Sequence, residues 1–208
     1  MFTNRTEAGN LLAKQLTKYS NHKDVLIVAI PRGGVPVGAA IAEKLNVPLE
    51  IVLSKKIGHP INKEYAIGAV TLKNSVITDN IQGVSKTYIE EETQRVKQLL
   101  QKRQQWYYGD AKPKTFNNKI IIVVDDGVAT GNTLISSIQL IEKENPSKII
   151  VALPVAPKNA IRRIKSLTSV TNIICLLTPA NFNAVGQFYE NFNQVSDNEV
   201  LEILHELA

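Results

Sequence analysis

The chain has a single cysteine among its 208 residues, Cys175. An internal disulfide is therefore excluded, and nothing in the composition calls for an oxidising compartment. Cys175 lies in the apolar run Asn172–Leu177, a setting that predicts a buried, unreactive thiol. No apolar stretch approaches the ~20 residues that a membrane-spanning helix needs, so no membrane association is expected. Residues 1–18 carry Arg5 and Glu7 and lack a continuous apolar segment, which argues against a signal peptide. Leu11, Leu12 and Leu16 instead mark one face of a short amphipathic helix. A cytoplasmic location is the resulting expectation. Excess charge is also scarce: 24 Lys and Arg against 19 Asp and Glu leave +5. That balance suits a small polyanionic ligand as well as a plain solvated surface. Basic residues are not interleaved with aromatics as in RNA-binding signatures, so nucleic acid is not an expected partner.

What is present is an ordinary globular composition, 44% hydrophobic and 21% charged, on a length that suits one α/β domain over residues 1–208. Five short apolar runs stand out: Val25–Ile30, Leu49–Leu53, Ile120–Val124, Ile149–Leu153 and Asn172–Leu177. Most are rich in Val and Ile without alternation, the pattern of strands buried on both faces. Helical patterns at Val35–Leu45, Asn132–Lys143 and Ala160–Leu167 lie between them. This alternation predicts a parallel sheet covered by helices on both sides, with ligands bound beyond the carboxyl ends of the strands. Residues 54–118 interrupt the rhythm. Within them, Ala66–Leu72 and Val76–Thr78 predict a hairpin and Ser85–Tyr108 a long helix, an excursion of the kind that serves as a lid or an interface.

The most specific string follows the third run: Asp125-Asp126-Gly127-Val128-Ala129-Thr130-Gly131-Asn132-Thr133. Two carboxylates at a strand end can accept hydrogen bonds from two adjacent hydroxyls, such as a ribose diol. The glycines permit a tight turn and close backbone approach. The helix that follows supplies free N–H groups and a favourable dipole for an anion, and Thr130 and Thr133 add hydroxyl donors. A Walker A loop is excluded because the Gly-Lys-Ser/Thr element is missing, and a Rossmann fingerprint because its acid follows its glycines. Residues Val123–Leu134 resemble the binding motif for 5-phosphoribosyl-1-pyrophosphate (PRPP) of type I phosphoribosyltransferases. That resemblance implies the type I phosphoribosyltransferase fold, with Asp125 and Asp126 on the ribose hydroxyls and Gly127, Val128, Ala129, Thr130, Gly131, Asn132 and Thr133 around the 5-phosphate.

The first run ends in Ile30-Pro31-Arg32-Gly33-Gly34. A Gly-Gly step before a helix is by itself commonly just a turn. Beside the first loop it reads as a second anion site, with exposed N–H groups and the cationic fork of Arg32, and the resemblance makes it the pyrophosphate loop. Lys55, ahead of Lys56, stands where a side chain would reach pyrophosphate. Phe2-x-Asn4-Arg5-x-x-Ala8-Gly9, Lys55–Pro60, Glu64–Val70 and Phe182–Tyr189 extend the resemblance to a group of stand-alone bacterial and archaeal phosphoribosyltransferases. His59 is a weaker acid–base candidate, and ordinary surface histidines account equally for it and for His22 and His205. The aromatic tail, Phe182, Phe188, Tyr189 and Phe192, reads either as a C-terminal hood over residues 178–208 or as a satellite core. In the hood reading Phe182 and Tyr189 stack on the acceptor. The resemblance implies Mg²⁺ held mainly through substrate oxygens, with Asp125 and Asp126 the protein carboxylates at hand, and a homodimer. It also leaves open a non-catalytic PRPP- or nucleotide-sensing protein of the same fold.

Overall fold

A computed structural model describes residues 1–63, 65–78 and 83–207. In chain order the elements are α1 (Arg5–Gln15), β1 (Val25–Ala29), α2 (Gly34–Leu45), β2 (Leu49–Ile51), β3 (Lys55–Gly58), β4 (Ala66–Val70) and β5 (Ser75–Ile77). There follow α3 (Lys86–Tyr108), β6 (Ile120–Val124), α4 (Asn132–Glu142), β7 (Lys148–Val155), α5 (Lys158–Lys165), β8 (Val170–Leu177) and α6 (Asp197–Glu206). The five runs form one parallel sheet in the order β2-β1-β6-β7-β8.

Alternation along the central strands explains why the β1 and β6 runs lack polar residues. Val25, Ile27 and Ala29 of β1 join Ile122 and Val124 of β6 on one face, packed against α1 and α2 through Leu12, Leu16, Ile41 and Leu45. Leu26, Val28, Ile121 and Val123 point the other way, onto Leu134 and Ile138 of α4 and Ala160 and Ile164 of α5. Both faces are covered, so a polar side chain on either would be buried without a partner. Each fully buried Ile or Leu contributes roughly 1.5–3 kcal/mol relative to exposure. Helix α1 forms as its leucines predict, with Asn4 Oδ1 accepting from the Glu7 amide as its N-cap. It lies so close to α2 that a Cβ on Gly9 would sit 2.6 Å from the Val37 carbonyl oxygen.

The described part of residues 54–118 builds a small antiparallel sheet and a long helix beside the main sheet, while Tyr107 and Phe116 join the two main cores. The hairpin is present, with Asn74 N bonded to Thr71 Oγ1 across its turn, but it carries a third, unanticipated strand. Lys55–Gly58 pairs antiparallel with β4. Ile57 is the one buried hydrophobic residue of β3, after the exposed Lys55 and Lys56, so the segment has no strand pattern of its own; tertiary pairing imposes it. Helix α3 starts at the Ser85 cap and closes the small core of Ile57, Ile67, Val70, Val96 and Leu100. Glu64 and residues 79–82, parts of the Glu64–Val70 motif and of the lid region, lie outside the described residues. Cys175 is half-buried rather than buried, because β8 is an edge strand, and its thiol donates to the Leu177 carbonyl. Burial still pushes that thiol up to about 11, so it is unreactive at neutral pH. Among the described residues no helix is long and apolar enough to cross a membrane.

Candidate functional site

The two loops singled out in the sequence lie at the carboxyl ends of adjacent strands, β1 and β6, and pack back to back. Ile30 N donates to the Val124 carbonyl. The Pro31–Arg32 peptide is cis. A Cβ on Gly33 would fall 2.6 Å from Asp126 Cγ and nearer still to its Oδ2, and a Cβ on Gly34 would fall 2.9 Å from Asp125 Cα. Only glycine lets the first loop touch the acid pair in this way. The Gly34 amide, however, donates to the Ile30 carbonyl at 3.0 Å. The pair of outward-facing glycine amides inferred from the sequence is therefore reduced, and the loop's outward donors must be sought at Arg32 and Gly33.

After Asp126 the chain passes the buried Gly127 and Val128, then surfaces at Ala129 and Thr130. Gly131 takes φ 86°, a left-handed conformation that glycine adopts without strain, and opens α4 with no side-chain cap. The first N–H groups of a helix have no intrahelical acceptor, and Thr130, Asn132 and Thr133 are exposed around them. An exposed, uncapped helix start of this kind is able to take an anion. Arg163 of α5 braces it from outside, Nη1 donating to the Thr130 carbonyl at 2.5 Å and Nη2 to Asn132 Oδ1 at 2.9 Å.

Burial, and then the adjacent Asp126 charge, push the Asp125 carboxyl well above the usual range. Its Oδ1 turns back to accept the Asp126 amide. Burial also raises Asp126, opposed by Arg5, whose Nε donates to Asp126 Oδ2 at 2.8 Å. The Tyr189 hydroxyl donates to the Asp126 carbonyl at 2.6 Å. Arg32 is held more loosely: Nη1 lies 3.6 Å from Asp197 Oδ2 on α6, and Asp197 Oδ1 also accepts from the Tyr107 hydroxyl of α3. Burial and then that hydrogen bond push Tyr107 up to about 12.

A cavity of about 380 Å³ opens beside the acid pair, lined by Arg5, Arg32, Gly33, Asp126, Phe192, Gln194 and Val195. The structure thus brings together Arg32, Gly33 and Asp126, with Asp125 and Gly34 directly behind them. Lys55 is not among the lining residues; it is exposed at the start of β3, and its charge acts on Glu92 of α3. Of the tail aromatics, Phe192 reaches the cavity. Phe182 is half-buried against Phe188, with ring centroids 5.5 Å apart. Tyr189 is buried beneath the loop, its ring 5.2 Å from that of Phe2. Sequence reasoning passed over Arg5, Arg163 and Asp197 as site residues. Arg5 had a signal, the Phe2-x-Asn4-Arg5 string; Arg163 and Asp197 had none, since a basic α5 and an acidic first turn read as ordinary helix surfaces.

Comparison with known proteins gives this geometry a family. The model of the phosphoribosyl transferase domain matches residues 3–193. A provisionally named phosphoribosyl transferase of Mycobacterium tuberculosis is 34% identical over 98% of this chain, which spans 46% of that protein; the chain is thus about half the length of the curated relatives it matches. The crystal structure of TT1426 from Thermus thermophilus superposes with a TM-score of 0.88 at 33% identity, over 100% of this chain and 99% of that one. AQ2163 from Aquifex aeolicus shares the fold at a TM-score of 0.50 and 17% identity, over 83% of this chain and 73% of that one. With nine-tenths of its length matched, and both the Arg32–Gly34 and Asp125–Thr133 loops inside the match, the chain belongs to the phosphoribosyl transferase domain family.

Proposed function

We propose that this chain transfers the 5-phosphoribosyl group of PRPP to a nitrogen nucleophile, with a nucleobase as the acceptor class, and releases pyrophosphate. One observation carries the reading: two glycine-containing loops at adjacent strand ends, one opening an uncapped helix, meet at an acid pair, and a ligand with a phosphate at one end, a diol in the middle and a pyrophosphate at the other would span them. In this reading the turn at Thr130–Thr133 takes the 5-phosphate, Asp125 and Asp126 accept from the ribose hydroxyls, and the Arg32–Gly33 segment meets the pyrophosphate. The bond from the ribose C1 to the pyrophosphate oxygen breaks, the electron pair leaves with pyrophosphate, the nitrogen lone pair forms the new bond to C1, and the proton of that nitrogen passes to water. Catalysis then rests on orientation and on stabilising the leaving charge, with no covalent intermediate.

Asp125 and Asp126 offer hard carboxylate oxygens, the donor type that Mg²⁺ takes. In this reading substrate oxygens supply most of the ion's ligands. When bound, Mg²⁺ would neutralise charge on the departing pyrophosphate. The test is to incubate the chain with PRPP, Mg²⁺ and a panel of bases and to measure pyrophosphate release. Release with one base or a small group of bases is expected. PRPP binding without release for any acceptor would favour a sensor of the same fold, and absence of PRPP binding would refute the reading.

A further inference from the structure

Arg5 is the first residue of α1, 121 positions away from Asp126, yet it makes the closest charged contact of the site. The fold takes trouble to bring it there. Phe2 pairs with the tail as a parallel bridge: its amide donates to the Phe188 carbonyl at 2.8 Å, and its carbonyl accepts from Glu190 N at 2.8 Å. The Phe2 ring packs on Tyr189, whose hydroxyl holds the Asp126 carbonyl. Asn4 then caps α1, so that Arg5 leaves the first turn facing the loop.

The guanidinium is fixed on three sides. Nε donates to Asp126 Oδ2 at 2.8 Å, Nη1 donates to the Asn193 carbonyl at 2.8 Å, and the carbon of the fork lies 3.9 Å from the centre of the Phe192 ring. The Arg5 and Asp126 side chains are only 11% and 12% exposed. A surface ion pair would be mobile and of little consequence; this one is enclosed, and the guanidinium that makes its single bond to Asp126 is itself stacked on Phe192 and tied to the Asn193 carbonyl, so its direction is fixed. Asp126 needs such a support, because its carboxylate is wedged against Gly33 on another side. A carboxylate has about four lone-pair positions. Arg5 occupies one on Oδ2 and fixes the carboxylate beside the cavity that Asp126 lines.

We propose that Arg5 is a positioning residue of the ribose site: it holds the Asp126 carboxylate in the orientation that accepts the diol of a phosphoribosyl ligand, and so makes the N-terminal segment part of that site. This rests on the PRPP reading above, and it extends that reading to a residue outside both phosphate loops. The consequence is a split between ligands. Those with a ribose diol depend on Arg5, and pyrophosphate, which has none, does not.

The experiment is calorimetry on the full chain with Mg²⁺, titrating PRPP, ribose 5-phosphate, its 2-deoxy and 3-deoxy analogues, and pyrophosphate. Arg5→Gln should weaken ribose 5-phosphate and PRPP roughly 30-fold, as for truncation of one partner of an enclosed charge pair, and leave pyrophosphate within about twofold. The affinity that the wild-type chain loses on removal of the hydroxyl facing Asp126 should shrink toward nothing in the variant, because the two losses are one interaction. Arg5→Lys, which keeps the charge without the fork, should show the same split at smaller size, and it decides the matter if Arg5→Gln does not fold. Unchanged binding, an equal loss for all ligands, or tighter binding of the ribose ligands would each overturn the proposal; the last would make Arg5 a plug in competition with the diol. Failure of the wild-type chain to bind PRPP is a separate result, which removes the functional reading and this inference with it.

Discussion

Replacing Gly33 with alanine tests the back-to-back packing of the two loops with the smallest possible perturbation. Gly33 has φ −60° and ψ −33°, a conformation that any residue adopts. Gly33→Ala therefore carries no backbone penalty, and by restricting the unfolded chain it would by itself add about 0.4–1 kcal/mol of stability. The new methyl group, however, lands 2.6 Å from Asp126 Cγ, where ordinary contact begins at 3.4 Å. The carboxyl carbon has to retreat by 0.8 Å (3.4 less 2.6) and the nearer oxygen by more. That retreat is resisted by Arg5 at 2.8 Å and by the Tyr189 hydroxyl on the Asp126 backbone. Losing a ligand hydrogen bond to a charged group costs about 1.5–3 kcal/mol, on the order of 10- to 100-fold in affinity. Gly33→Ala should thus weaken Mg²⁺-PRPP binding by that order in calorimetry, while thermal unfolding shows a folded chain with stability within about 2 kcal/mol of wild type. A folded variant that binds PRPP within about threefold of wild type, less than about 0.7 kcal/mol, would refute the reasoning.

Two further outcomes follow from the electrostatics and from the phosphate turn. An acid whose folded pKa is raised contributes its stability while protonated and loses it as pH climbs through the raised value. Asp125, raised by burial and by Asp126, is therefore a liability at neutral pH. Asp125→Asn should raise Tm at pH 7, with the gain shrinking on acidification, and should weaken PRPP binding at the same time; a lower Tm at pH 7 in scanning calorimetry would contradict the assignment. Arg163→Ala removes the brace on Thr130 and Asn132. It should weaken ribose 5-phosphate about fivefold, the worth of one ordinary hydrogen bond, and spare pyrophosphate, as read by parallel titrations of the two ligands.

The sequence shows the central architecture plainly because its causes are local. Ile120–Val124 is β-branched and apolar throughout, Gly131 turns the chain, and the helix begins at the next residue, so strand, loop and helix lie within one contiguous stretch. Strand β3 escaped because Lys55-Lys56-Ile57-Gly58 is extended only by its pairing with Ala66–Val70. The tail was legible as aromatic but not in its direction. Whether Tyr189 faces a ligand or supports the loop depends on Phe2, at the other end of the chain. A third kind of information was out of reach for a different reason. Donors and cations can be counted along a sequence, but the fold decides which are already taken. The Gly34 amide is taken by Ile30. The two arginines that line the cavity are both paired, yet unequally. Arg32 meets Asp197 at 3.6 Å with its side chain 35% exposed, and a loose pair in contact with water opens easily to a stronger anion. Arg5 is stacked, forked and 11% exposed, and removing it from Asp126 would leave a buried carboxylate without its cation. One arginine is thus loosely paired and the other is fixed to its acid, which in the proposed reading suits the first to a pyrophosphate and the second to holding Asp126 still. A list of basic residues contains both and distinguishes neither.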